Sequence, residues 1–166
     1  MTLPNALTVL RAVLVAPVIW LVAAGEPVIA LGVFLVAAAT DVVDGALARR
    51  TGRATALGMV LDPLADKVLV VGTLGALAML GAAPLWAVAV VGGRELVAVE
   101  VRARSPHVPA TADGKAKTVL QVAATTALLA AVAWPSPALA AGAGALLLAA
   151  VALTVVSGVM LVLRAA

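Results

Sequence analysis

Polar positions along this chain are few and bunched, and six apolar stretches run between them. Each is long enough for a helix of about 20 residues, which spans roughly 30 Å at 1.5 Å per residue. The first covers about Leu7 to Ala24 and ends at Gly25-Glu26-Pro27. The second runs from Pro27 or Val28 to about Arg50, and the third from about Leu57 to Leu80, stopping at Gly81. The fourth opens at Pro84, a residue suited to a first helical turn, and continues to about Val101. The fifth runs from about Ala116 to Ala133, and the sixth from about Pro137 to Leu163. Pro135-Ser136-Pro137 separates the last two, because proline cannot continue the helical hydrogen-bond ladder. The pattern predicts an all-α chain, one domain over residues 1–166, built as a bundle of six transmembrane helices.

Composition agrees with a lipid environment. Of the 166 residues, 64% are hydrophobic and only 11% charged, where a soluble domain carries roughly a quarter charged residues. In so short a chain a larger buried core cannot absorb that difference. Charge also orients the bundle. Arg49, Arg50 and Arg53 flank the second loop, Arg102, Arg104, Lys115 and Lys117 flank the fourth, and Arg164 follows the last span. The first loop holds only Glu26, and the third and fifth hold no charge. Lys and Arg concentrated on alternate loops predict that both termini and the two basic loops are cytoplasmic. The net charge of +3 is therefore read as topology signal, and no nucleic-acid partner is expected. The N-terminus does not resemble a cleavable signal peptide, and its apolar run leads into further spans. A multi-pass protein of the bacterial inner membrane fits this composition. With no cysteine in the chain, thiolate chemistry is excluded.

The acids break the apolar pattern. Asp41, Asp44, Asp62 and Asp66 lie inside the second and third stretches, where an aspartate at a helix centre costs about 2.5–3.5 kcal/mol on insertion scales. Four such carboxylates require a cation, a water-filled cavity or both. Helical spacing puts Asp41 and Asp44 on one face with Gly45 and Ala48, and Gly58, Asp62 and Asp66 on one face of the next helix. A short hairpin joins the two, which predicts antiparallel neighbours with the acids at similar depth near the cytoplasmic side. So many like charges demand compensation, and all-oxygen ligation suits Mg²⁺ or Mn²⁺. Gly45 and Gly58 clear room for a bulky polar group to approach the backbone. The sole histidine, His107, falls in the fourth loop and is read as a loop residue.

These residues form a recognisable signature. Asp41-Val-Val-Asp44-Gly45-Ala-Leu-Ala48-Arg49, eight residues, then Gly58-Met-Val-Leu-Asp62-Pro-Leu-Ala-Asp66 reads DxxDGxxAR–x8–GxxxDxxxD, eight set positions over 26 residues. It resembles the CDP-alcohol phosphatidyltransferase family without a departure at those positions. The resemblance implies transfer from a CDP-linked lipid to an alcohol, with CMP leaving, on six spanning helices. It implies that Asp41, Asp44 and Asp62 hold metal, with two divalent ions expected. Asp66 matches the residue that deprotonates the acceptor hydroxyl and stands close to the metals. Gly45, Ala48, Arg49 and Gly58 match positions around the CDP moiety. A homodimer is also suggested by the resemblance.

The acceptor rests on other segments. Pro4-Asn5-Ala-Leu-Thr8-Val-Leu-Arg11, Asp62-Pro-Leu-Ala-Asp66-Lys67, Gly93-Arg94-Glu95 and Gly114-Lys115-Ala-Lys117-Thr118-Val-Leu-Gln121 resemble the branch of the family that makes phosphatidylglycerol phosphate from CDP-diacylglycerol and glycerol 3-phosphate. Arg94, Lys115 and Arg11 are candidates for the acceptor phosphate, while Lys115 and Lys117 also suit topology setting and headgroup contact. Ala116 stands where that branch usually carries a bulkier residue. Phosphatidylglycerol (giving cardiolipin) and inositol phosphate remain alternative acceptors. A small ion-coupled transporter would also place acids in spans. It would be expected to show polar breaks in both halves, yet no acid lies between Thr118 and Leu163.

Overall fold

The computed structural model describes the backbone of residues 3–51, 56–104 and 112–165, and the side chains of most of residues 13–40, 67–101 and 114–165. Among these residues the chain forms six α-helices: α1 (Leu3–Ala23), α2 (Pro27–Thr51), α3 (Ala56–Met79), α4 (Leu85–Arg104), α5 (Ala112–Ala133) and α6 (Pro137–Ala165). The all-α bundle expected from the apolar stretches is therefore present. Pro84 stands just before α4, its carbonyl accepting from the Ala87 amide at 3.0 Å. Helix α5 starts at Ala112, ahead of its apolar run, because its first turn (Ala112-Asp113-Gly114-Lys115) is polar and hydropathy cannot register it.

Two of the breaks are chemically alike. Gly25 (φ +78°) and Gly81 (φ +73°) adopt a left-handed conformation that other residues rarely take. At each, the glycine amide donates three residues back and the next amide five residues back. These are Gly25 to Val22 and Glu26 to Leu21, then Gly81 to Ala78 and Ala82 to Leu77. This paired closure satisfies carbonyls that the helix end would leave orphaned.

Helix α1 packs on both α2 and α3, α5 touches α2, α3 and α6, and α4 lies against α3 and α6. Buried residues recur at helical spacing: Val15, Val18 and Val22 on α1, Ala30, Phe34 and Ala37 on α2, Leu69, Leu74 and Leu77 on α3, and Ala143, Leu147 and Ala150 on α6. Small residues let backbones approach. A Cβ on Gly72 of α3 would lie 3.2 Å from Val15 Cγ1 of α1. The outside is apolar too, with Met79, Leu96 and Leu163 each at least 71% exposed. Among the described residues, α5 (over Ala116–Ala133) and α6 (Pro137–Ala165) are long and apolar enough to cross a membrane.

Candidate active site

Helices α2 and α3 carry the signature. Both are continuous through it on either side of residues 52–55, so positions 41 and 44 share a face of α2, and 58, 62 and 66 share a face of α3. The side chains of Asp41, Asp44, Gly45, Ala48, Arg49, Gly58, Asp62 and Asp66 lie outside the described residues, as do those of Arg11 and Lys115, and His107 altogether. The donor set is nonetheless chemically plain: carboxylate oxygens on two helices joined by a short connection, suited to a hard divalent cation.

One residue beyond Asp66 the side chains are described, and three segments distant in the sequence meet there. Lys67 of α3 brings its Nζ to 2.9 Å from Oε2 of Glu95 on α4. Lys117 of α5 donates to the other oxygen, Oε1. Arg94 Nη1 lies 3.5 Å from that same oxygen, so the adjacent pair does meet, at the long limit of a hydrogen bond. The side chains of Glu95 and Lys117 are 7% and 4% exposed. A carboxylate this buried is stable only when paired, and two ammonium groups on opposite oxygens provide the pairing. The Lys67 contact is a charge contact rather than an aligned hydrogen bond, since neither Nζ nor Oε2 meets hydrogen-bond geometry. Arg94 is itself packed across α6, where a Cβ on Gly158 would lie 3.1 Å from its Cγ.

A polar stripe continues from this cluster down α5. Lys117, Gln121 and Thr125 recur every four residues and all are buried. Gln121 Nε2 donates to Thr154 Oγ1 of α6 at 2.8 Å, and Thr125 Oγ1 donates to the Gln121 carbonyl at 2.8 Å. Of the residues singled out for an acceptor phosphate, the structure describes the side chain of Arg94 alone. Glu95 as the hub, and Lys67 and Lys117 as its partners, were not read as a unit from sequence. The available signal was the four-residue spacing of Lys117, Gln121 and Thr125 in an otherwise apolar helix.

The profile of the CDP-alcohol phosphatidyltransferase family matches residues 1–156. A probable phosphatidylglycerophosphate synthase of Mycobacterium tuberculosis is 38% identical over 173 aligned positions, covering 98% of this chain and 81% of the relative. A CDP-diacylglycerol–glycerol-3-phosphate 3-phosphatidyltransferase of Bacillus subtilis is 41% identical over 100 positions, covering 58% of this chain and 52% of its own. A probable CMP-forming cardiolipin synthase of Drosophila melanogaster is 34% identical over 97 positions, covering 58% of this chain and 30% of its own. With the profile running through nearly all of the helical bundle, and a relative aligned along almost the whole chain, this protein belongs to the CDP-alcohol phosphatidyltransferase family.

Proposed function

We propose that this chain transfers a phosphatidyl group from CDP-diacylglycerol to glycerol 3-phosphate, releasing CMP and forming phosphatidylglycerol phosphate. One observation carries the reading beyond the family signature. Lys67 beside Asp66, the Gly93-Arg94-Glu95 segment and the Gly114–Gln121 segment, each resembling the glycerol-phosphate branch on its own, converge on one carboxylate. The Mycobacterium tuberculosis relative named for that synthase supports the same branch.

In this reading Asp66 accepts the proton of the acceptor hydroxyl. The freed oxygen forms a bond to the lipid-linked phosphorus as the bond from that phosphorus to the CMP oxygen breaks. Asp41, Asp44, Asp62 and Asp66 would hold two divalent ions, Mg²⁺ or Mn²⁺. When bound, these ions supply charge neutralisation at the phosphoryl oxygens. Gly45, Ala48, Arg49 and Gly58 surround the CDP moiety. Arg94, Lys115 and Arg11 bind the acceptor phosphate by charge-assisted hydrogen bonds. Glu95 engages cations on both oxygens, so it is occupied as a counter-ion and is not the base.

All six helices span the bilayer in this proposal, with both termini cytoplasmic and the site open to the cytoplasm of a bacterial cell. The shortest, α4, has 20 residues, about 30 Å at 1.5 Å per residue. The three tryptophans support spans that end at the bilayer surface. Trp20 lies in the last turn of α1, Trp86 in the first turn of α4, and Trp134 just after α5, so all stand at the breaks that alternate with the basic loops, and each is at least 52% exposed. Tryptophan favours the membrane–water interface.

Detergent-purified protein given CDP-diacylglycerol, glycerol 3-phosphate and Mg²⁺ should release CMP and yield phosphatidylglycerol phosphate. Equal CMP release without acceptor or metal would sink the reading. The partial likeness to a cardiolipin synthase makes phosphatidylglycerol the second acceptor to test, followed by inositol phosphate. Faster turnover with either would reassign the branch.

A further inference from the structure

A groove of about 370 Å³ opens outward between α3 and α4 beside the site. Val68, Val71 and Gly72 line it from α3, and Gly92, Leu96 and Val99 from α4, with Lys67 and Glu95 as its charged members. Apolar contact between the two helices is sparse along this groove: Val71 of α3 meets α4 at Gly92, where a Cβ would lie 3.5 Å from Val71 Cγ1, and a valine against a glycine fixes register only weakly. The 2.9 Å Lys67–Glu95 contact crosses between them. Glu95 is gripped in turn by Lys117 of α5, although α5 makes no close backbone approach to α4 among the described residues. A single buried carboxylate thus ties three helices together, at the residue following Asp66.

We propose that Glu95 is a positioning residue: acting through Lys67, it holds the Asp62–Asp66 turn of α3 in register with α4 and α5. This rests on the transferase reading, in which that turn serves metal and proton transfer. Lys67 lies one residue after Asp66 and five after Asp62 in the same continuous helix. A slide or rotation of α3 at Lys67 therefore carries both acids with it. Mg²⁺ demands near-ideal octahedral ligation, and a misplacement of about 1 Å at a reacting centre can cost on the order of 10²-fold in rate. Without its charge, the Glu95 side chain would leave two ammonium groups facing each other in an apolar bundle, and their repulsion would drive α3 from α5.

The test compares Glu95→Gln, Glu95→Asp and Lys67→Met in detergent-purified protein. Mn²⁺ binding is read by electron paramagnetic resonance without substrates, and CMP release with both substrates. Lys67→Met is the milder cut, because it frees α3 while keeping the Glu95–Lys117 pair. Glu95→Gln and Lys67→Met should each weaken Mn²⁺ binding by about tenfold, in the 10–100-fold range that outer-shell changes produce. Both should lower kcat while KM for either substrate stays within about threefold, and Glu95→Asp should recover most of the loss. Monodisperse Lys67→Met protein with wild-type Mn²⁺ affinity and kcat would overturn the proposal. So would Glu95→Gln protein whose folded fraction binds Mn²⁺ normally. Weakened Mn²⁺ binding in both variants of a protein that released no CMP would support the positioning role while refuting the transferase reading.

Discussion

Gly158 is where α6 makes room for Arg94, since a Cβ there would come within 3.1 Å of the arginine Cγ. A branched side chain has no such room, so Gly158→Val should displace Arg94. If Arg94 binds the acceptor phosphate, KM for glycerol 3-phosphate should rise by about tenfold, the weight of one charge-assisted contact. KM for CDP-diacylglycerol should stay unchanged, and steady-state kinetics in mixed micelles separates the two. Asp66→Asn removes the proposed proton acceptor but keeps its shape. A general base contributes about 10²–10⁴-fold, so kcat should fall within that range while the protein remains monodisperse on size exclusion. Full retention of CMP release would remove Asp66 from the chemistry.

At the scale of the helix, turns and interhelical contacts can be weighed separately. Gly81 has φ +73° and nothing within 4 Å of where a Cβ would sit. Gly81→Ala therefore costs backbone strain alone, about 1–2 kcal/mol, read as lower thermal stability in detergent with unchanged KM values. The Gln121–Thr154 bond joins α5 to α6 inside the bundle. Gln121→Leu should cost roughly 0.6 kcal/mol, the average for interhelical hydrogen bonds within membranes, and so less than the glycine change. The breaks at Gly25, Gly81 and Pro135 were legible in the sequence because each follows from local chemistry. The polar first turn of α5 was not, because hydropathy reports the apolar run and not the helix that precedes it.

At the scale of the whole molecule, basic residues gather at alternate breaks of an apolar six-helix chain, and the tryptophans stand at the others. The chain has no cysteine, so single introduced thiols can map its sidedness without a background. Ser136→Cys should react with a membrane-impermeant maleimide in intact spheroplasts, and Arg53→Cys only after permeabilisation. The reverse result would invert the proposed topology. Chelation of divalent ions should abolish CMP release, and Mg²⁺ or Mn²⁺ should restore it, as the all-carboxylate donor set requires. The same bundle explains why the Glu95 cluster was harder to read than the signature acids. The acids are four residues in two adjacent helices at helical spacing, whereas Lys67, Glu95 and Lys117 come from three helices and as many as 50 residues of chain.

The sequence by itself determined the all-α class, the extents of most helices, the signature on α2 and α3, and the family. Those follow from local matters: run length against bilayer thickness, turn chemistry, and residue spacing along one helix. Which helices meet was decided only by the tertiary structure. In a bundle whose interior and outer face are both apolar, hydropathy carries little stripe to say which side of a helix faces a neighbour. The exception is charge. Once buried, Lys67, Glu95 and Lys117 had to find one another, and their meeting is what links α3, beside Asp66, to α4 and α5.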